Sequence, residues 1–185
     1  ASVAWHRDGT THWDSPDFDE GTHGFNFMAQ LYGCTSANGV WVVPGSHKER
    51  YVDIADMVTR AGSERIEEAI PMICNPGDVV ISNRQAVHGS FANTSSDWRI
   101  TINQGFHRRK SVLGVKGGGL HGKPAVYDAE RIIERSKVIK LAIEARKQRF
   151  PDEQAFEYKP LSASTEDFTW NCLLYTSPSP RDNTT

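Results

Sequence analysis

The sequence predicts a mainly β fold with a few helices. Short alternating or apolar stretches recur between residues 25 and 106, and Gly, Pro, Asn and Asp residues separate them. One long segment at about residues 128–150 has a helical pattern instead, with Glu near its start and Lys or Arg near its end. Short strands, frequent turns and a long helix are typical of two packed antiparallel sheets. We therefore predict a double-stranded β-helix, the cupin-like jelly roll.

The first extended strand is expected at residues 25–32, FNFMAQLY, because apolar and polar residues alternate there. Successive side chains of a strand point to opposite faces of its sheet. One face would carry the aromatic and aliphatic residues of this segment. The other face would carry Asn26, Met28 and Gln30.

Turn and helix signals follow this strand. Asn38-Gly39 predicts a tight hairpin turn into a short strand, VWVV, at residues 40–43. Asp53 can cap a short helix, and a second short helix is expected after Gly62. Four more strands are expected in AIPMIC, DVVIS, AVHGSF and WRITINQGF, each bounded by turn residues.

Composition favours a globular protein with a small-molecule substrate. The chain has 185 residues, of which 38% are hydrophobic and 24% charged, and its formal net charge is −2. This near-neutral charge gives no reason to expect nucleic acid or a membrane as a partner, and no apolar stretch approaches the roughly 20 residues of a membrane span. The three cysteines show no metal-binding or disulfide spacing, so a reducing, cytoplasmic location is the default expectation.

Both ends of the chain bear on the domain boundaries. The sequence starts at Ala1 without Met, and its first motif begins at His6, so we expect an N-terminally truncated fragment. The segment CLLYTSPSPRD, residues 172–182, looks like the translation of a sequencing adapter; the alternative is a disordered Pro/Ser-rich tail. We therefore predict one domain over residues 1–171 and exclude residues 172–185 from it.

A candidate metal site begins at His6-Arg7-Asp8. On an extended segment, residues two apart point to the same side, so His6 and Asp8 can reach one ion. His88 lies in the apolar run AVHGSF, where a histidine needs a polar partner. Two histidines and one carboxylate form the ligand set of non-haem Fe(II) oxygenases. Each residue alone has a simpler explanation, since H-x-D pairs are common and a buried histidine is often structural.

Three separated stretches give this set its context. They are WHRDG, NGVWVVPGSHK and GDVVISNRQAVHGSFANTSSDWR. Their order and spacing resemble the phytanoyl-CoA dioxygenase family of Fe(II)- and 2-oxoglutarate-dependent oxygenases, over Trp5 to Arg109. The resemblance implies a C–H hydroxylase that uses Fe(II), 2-oxoglutarate and O2 and releases succinate and CO2. The alternatives are a cupin-like metal enzyme that does not use 2-oxoglutarate and an inactive jelly-roll binding module.

The resemblance also implies roles for individual residues. His6, Asp8 and His88 would bind the iron as the catalytic residues, and Arg99 would pair with the distal carboxylate of 2-oxoglutarate. The further candidates for co-substrate binding are Ser90, Met28 and Gln30, and Met28 occupies a position where many relatives have Trp. The candidates for substrate contact are His12, Trp13, Asn26, Thr101 and Asn103. Pro44-Gly45-Ser46-His47 is expected to be a structural turn, with His47 away from the metal.

Overall fold

The computed structural model describes residues 2–8, 21–117 and 125–171. The helices in these residues are α1 (Ile54–Ala61), α2 (Arg109–Val112) and α3 (Ala129–Arg149), together with 3-10 helices at Ser46–Lys48 and Lys159–Leu161. The strands are β1 (Val3–His6), β2 (Gly24–Gln30), β3 (Val40–Val42), β4 (Ile70–Pro71), β5 (Val79–Asn83), β6 (His88–Ser90), β7 (Thr101–His107), β8 (Lys116–Gly117) and β9 (Ala125–Val126). The chain divides into two compact units, residues 1–126 and 127–185.

The first unit contains two main antiparallel sheets. One has the strand order β1-β6-β3-β4 and the other the order β5-β2-β7, while β8 and β9 form a separate two-stranded ribbon. Side chains of both main sheets line one shared cavity. This arrangement confirms the prediction of a mainly β jelly roll with helices. The prediction of a single domain over residues 1–171 stays a prediction.

Strand β2 shows the predicted alternation, and its polar face is the buried one. Asn26, Met28 and Gln30 are 2%, 8% and 5% exposed. The opposite face is more open, and Phe25 is 37% exposed there. Buried amides need hydrogen-bond partners, so a polar inner face indicates an interior that binds polar groups.

The hydrophobic core of the first unit lies against the four-stranded sheet. Its buried members are Val43, Ile66, Ala69 and Val87, and α1 packs against them through Ile54, Met57 and Val58. Asp53 caps α1 as predicted, because its side chain accepts a 2.8 Å hydrogen bond from the backbone N–H of Asp56. Trp5 of β1 and Trp41 of β3 also pack against this core, whereas other residues of the same two strands line the cavity.

Two local predictions are wrong. The turn at Asn38-Gly39 does not close a hairpin, since β2 and β3 belong to different sheets. The Asn38 side chain instead accepts the backbone N–H of Thr35 at 2.8 Å and shapes the crossing between the sheets. The second short helix is also absent, and residues 62–69 form turns after Gly62 ends α1 in the left-handed conformation, φ +59°.

The second unit is built on α3, which lies at Ala129–Arg149, where the sequence predicts a helix at about residues 128–150. Asp128 caps its start by accepting a 2.8 Å hydrogen bond from the backbone N–H of Arg131. Lys137 binds both Glu134 and Glu166, at 2.6 and 2.8 Å, and so links the helix to the segment after it. No helix in the described ranges is long and apolar enough to cross a membrane.

Candidate metal centre

The pairing of β1 with β6 brings two histidines together. His6 lies directly opposite His88 in the register of this strand pair, and the centroids of their rings are 4.3 Å apart. Asp8 follows two residues after His6, beyond the end of β1. The backbone N–H of Asp8 donates a 2.9 Å hydrogen bond to the carbonyl of Arg84, which holds this short extension in place.

The three side chains converge on one point. Asp8 Oδ1 lies 3.4 Å from His6 Nε2, and Asp8 Oδ2 lies 3.6 Å from His88 Nε2. One donor atom from each residue lies within 4.8 Å of the other two. An ion bonded to N and O donors at about 2.1 Å holds neighbouring donors roughly 3 Å apart. The spacing therefore suits a shared ion, and no second group of this kind occurs in the part of the chain that the structure describes.

Backbone carbonyls orient both imidazole rings. His6 Nδ1 lies 2.8 Å from the carbonyl oxygen of Ala4, and His88 Nδ1 lies 2.9 Å from that of Ala86. A carbonyl oxygen only accepts, so in each ring Nδ1 carries the proton. The Nε2 lone pair then faces Asp8 in both neutral rings. This is the arrangement of metal-binding histidines, whose second nitrogen donates to a carbonyl or carboxylate.

The electrostatics of the three residues favour an ionised Asp8. Burial on its own would raise the pKa of this carboxyl group. Hydrogen bonds from the protonated form of His6 and from Asn26, together with the positive charges of protonated His88 and of Arg84, hold that pKa well below its usual range. The hydrogen bond to Asp8 raises the pKa of His6. Burial lowers the pKa of His88. The site thus offers one carboxylate and a buried imidazole that resists protonation.

Two polar side chains form a hydrogen-bonded chain that ends at the Asp8 carboxylate. Asn26 of β2 donates its amide N–H to Asp8 Oδ2, and Arg84 donates through Nη1 to Asn26 Oδ1. Through Asn26, these contacts connect Asp8, which follows β1 of one sheet, with β2 of the other sheet.

Arg7, between the two ligands of the H-x-D pair, holds the Pro-Gly-Ser-His turn. Its guanidinium donates to the backbone carbonyls of Ser46, Glu49 and Arg50, with distances of 2.5, 2.7 and 3.1 Å. Ser46 in turn accepts the backbone N–H of Val87 at 2.8 Å through its hydroxyl oxygen. The motifs that contain the ligands are therefore joined through this turn, whose role is structural as expected. His47 is outside the ligand group.

A cavity of about 250 Å³ adjoins the ligands. His6, His88 and Arg99 all line it. Its described lining contains no Asp or Glu, and Arg99 is half-buried and has no ion-pair partner among the described residues. A permanent cation in such a cavity is suited to an anionic ligand.

The other predicted contacts also lie at this cavity. The predicted residues that line it are Ser90, Met28, Gln30, Asn26, Thr101 and Asn103. Gln30 Oε1 accepts the hydroxyl of Thr101 at 2.7 Å, across the β2–β7 pair. Asn26, predicted as a substrate contact, has its amide engaged by Asp8 and Arg84. His12 and Trp13 lie outside the described residues.

The sequence did not indicate several residues that line the cavity, nor Arg84, which hydrogen-bonds to Asn26. The missed lining residues with polar or sulfur-containing side chains are Ser82, Asn83, Met72 and Cys34. Alternation in DVVIS could have indicated Ser82, which pairs with Asn26 across β2 and β5. Arg84 had no detectable signal, because its partner Asn26 is 58 residues away in the chain.

The donor set decides which group the site can hold. Two neutral imidazoles and one carboxylate match the facial triad of non-haem iron proteins, which leaves positions open for other ligands. No described cysteine thiol belongs to the group, so the set is not one that selects a soft ion. Arg99 and the two histidines line the same cavity, so an anion bound there would share that cavity with a cation and with two candidate metal ligands.

Comparisons with known proteins identify the family of this chain. The sequence profile of the phytanoyl-CoA dioxygenase family, PhyH, matches residues 1–101. No curated protein sequence matches the chain. Similar solved structures include EvdMO1, with 30% identity over 58% of this chain and a TM-score of 0.45. AviO1 from Streptomyces viridochromogenes Tue57 has 27% identity over 60% of the chain and a TM-score of 0.46.

A third similar structure is EctD from S. alaskensis with 2-oxoglutarate and 5-hydroxyectoine, with 18% identity over 70% of this chain and a TM-score of 0.47. The chain spans only 23% of EvdMO1, 45% of AviO1 and 49% of EctD. The profile match is the firmer result because it covers more than half of the chain and contains the H-x-D pair and His88. On this basis the protein belongs to the phytanoyl-CoA dioxygenase family.

Proposed function

We propose that this protein is an Fe(II)- and 2-oxoglutarate-dependent oxygenase that hydroxylates a C–H bond of a small molecule and releases succinate and CO2. The observation that carries the proposal is the convergence of His6, Asp8 and His88 beside a cavity that Arg99 also lines. Membership of the phytanoyl-CoA dioxygenase family supports the same reaction class.

His6, Asp8 and His88 would hold the iron. Iron and 2-oxoglutarate, when bound, supply the oxidising chemistry with dioxygen, and the protein supplies binding and orientation. The carbonyl contacts at both Nδ1 atoms keep each Nε2 available as a donor. Asp8 contributes the one negative charge of the set, so the bound ion keeps a net positive charge that attracts anionic ligands.

Arg99 would bind the distal carboxylate of 2-oxoglutarate. Its planar guanidinium can form two parallel hydrogen bonds with a carboxylate, which fixes orientation as well as affinity. The hydroxyl of Ser90, which is 4% exposed and lines the same cavity, is a further donor for this carboxylate. Met28 and Val80 line the same cavity with apolar side chains, and a low local dielectric there would strengthen the ion pair.

The first test is an anaerobic titration of the 185-residue chain with Fe(II) and 2-oxoglutarate, followed by the visible charge-transfer band of the chelated co-substrate. We expect a band in the parent protein and none in His88→Ala. Arg99→Gln should weaken 2-oxoglutarate binding roughly 10- to 100-fold, because a charge-assisted hydrogen bond contributes about 1.5–3 kcal/mol. Arg60→Gln, on the exposed surface of α1, is the matched arginine control.

The outcomes separate the proposal from its rivals. Iron binding without a band in the parent protein would favour a cupin-like metal enzyme that does not use 2-oxoglutarate. The absence of iron binding would favour an inactive binding module. An Arg99→Gln variant that binds 2-oxoglutarate as tightly as Arg60→Gln would remove Arg99 from the co-substrate site.

A further inference from the structure

The carboxylate of Asp8 is positioned by side chains and not by a strand. Strand β1 ends at His6, so Asp8 lies outside the regular sheet. Its side chain is held by Asn26, whose amide nitrogen donates to Oδ2. Asn26 is 2% exposed and lies in β2, in the other main sheet. The orientation of the carboxylate thus depends on a residue far away in the sequence.

Arg84 and Asp8 together determine which way the Asn26 amide faces. An arginine side chain only donates hydrogen bonds, and an ionised carboxylate only accepts them. The amide between them must therefore present its oxygen to Arg84 and its nitrogen to Asp8. In the opposite orientation, the amide nitrogen would face the Arg84 guanidinium, which is also a donor, and the amide oxygen would face the Asp8 carboxylate, which is also an acceptor. The chain Arg84–Asn26–Asp8 has a single allowed direction.

The fold leaves a slot for the Arg84 guanidinium. A Cβ atom at Gly105 would collide with this group, and a Cβ at Gly24 would lie 3.0 Å from Arg84 Cδ. The two glycines are in the paired strands β2 and β7, and both approach the Arg84 side chain. The Arg84 backbone is also fixed, because its carbonyl accepts from the Asp8 N–H at 2.9 Å and its N–H donates to Gly24 at 3.1 Å.

Packing alone does not explain this arginine. Its Nε–H is buried and has no hydrogen-bond partner among the described residues. A buried donor without a partner costs about 1–3 kcal/mol. An apolar side chain in the same slot would avoid that cost. Unlike an apolar side chain, Arg84 donates a hydrogen bond to the Asn26 oxygen from this slot.

We propose that Arg84 is a positioning residue of the metal centre, which acts through Asn26 to commit Asp8 Oδ2 to a hydrogen bond and leave Oδ1 for the metal. This inference rests on the proposed function, because it requires that His6, Asp8 and His88 bind an ion. It assigns Arg84 and Asn26 to metal affinity and coordination geometry. Neither residue contacts the metal itself in this assignment.

The test uses Co(II) as a spectroscopic probe, titrated into the 185-residue chain by calorimetry and visible absorption. Removal of a residue that hydrogen-bonds to a metal ligand typically weakens metal binding 10- to 100-fold. We expect a loss of this size in Arg84→Gln and in Asn26→Ala, together with an altered Co(II) ligand-field spectrum. Arg84→Lys keeps a cationic donor and should recover part of the affinity. Arg65→Gln is the control, because Arg65 is exposed and stacks on Trp41 at 4.8 Å.

A double-mutant cycle distinguishes positioning from general support. If Arg84 acts through Asn26, then Arg84→Gln should cause no further loss of Co(II) affinity in the Asn26→Ala background. Additive losses, or an Arg84→Gln variant with the affinity and spectrum of Arg65→Gln, would overturn the proposal. Thermal unfolding shows whether Arg84→Gln folds. If it does not, Arg84→Lys and Asn26→Ala test the proposal instead, and Co(II) affinities and spectra equal to those of Arg65→Gln would overturn it. A parent chain without Co(II) affinity would overturn the metal centre and this inference together.

Discussion

Replacement of Ser46 by alanine should separate the structural role of the Pro-Gly-Ser-His turn from any role in chemistry. The Ser46 hydroxyl donates to the carbonyl of Val43 at 2.7 Å and accepts the N–H of Val87 at 2.8 Å. Ser46 is 7% exposed and Val87 is fully buried. In Ser46→Ala the Val87 N–H loses this acceptor, and water has little access to replace it.

The expected loss of stability follows from this geometry. A buried donor left without a partner costs about 1–3 kcal/mol. For a chain of this length, 1 kcal/mol corresponds to roughly 2–4 °C in melting temperature, so the shift should be about 2–12 °C. Urea unfolding followed by circular dichroism gives the free energy, and the unfolding midpoint should fall while the slope is unchanged.

Ser63→Ala is the matched control for this experiment. The Ser63 hydroxyl also bonds a backbone carbonyl, that of Arg65 at 3.0 Å, but in an exposed turn. Surface substitutions of this kind change stability by less than about 0.5 kcal/mol. Equal effects of Ser46→Ala and Ser63→Ala would refute the assignment of Ser46 as a buried bridge between the turn and the strand that contains His88.

Three further predictions concern the same unit. Val87→Ala removes two methyl groups from a fully buried site and should lower the free energy of unfolding by about 2–3 kcal/mol, measured by urea unfolding; a loss below 0.5 kcal/mol would contradict the packing. Asp53→Ala removes the cap of α1 and should cost about 1 kcal/mol in the same assay, more than Asp56→Ala at an exposed ion pair. Gly105→Ala should displace the Arg84 guanidinium and weaken Co(II) binding severalfold in calorimetry, and unchanged affinity would show that the slot tolerates a methyl group.

The three candidate ligands could be grouped from the sequence because their signals are local. The H-x-D spacing places His6 and Asp8 on one side of an extended segment whatever the rest of the fold does. His88 was found because an imidazole in an apolar run needs a partner. The spacing of Arg99 from His88 came from the family resemblance, and the structure has both residues at one cavity. The alternation in β2 indicated correctly that Asn26, Met28 and Gln30 share a face.

The remaining features depend on contacts between distant parts of the chain. Asn38-Gly39 has the composition of a hairpin turn, but the strand that follows pairs with β4 and β6 and not with β2. Asn26 was expected to meet substrate because sequence alternation gives only its face, while its partner Arg84 is known only from the folded chain. Arg84 itself has no local pattern, since the slot for it is formed by glycines of two other strands.

The position of β1 has a consequence for how the protein opens. This strand lies at one end of its sheet, beside β6, and it has no second neighbour in the described part of the molecule. Edge strands are among the first segments to fray, and two of the three candidate metal ligands lie on or just after this one. A bound ion would cross-link His6 and His88 and close a loop of roughly 80 residues between them. A disulfide that closes a loop of this length stabilises the folded state by about 4–5 kcal/mol, and the ion would impose a comparable constraint. Amide hydrogen exchange in β1 should therefore report metal occupancy directly, with fast exchange in the metal-free protein and slow exchange in the metal-bound protein.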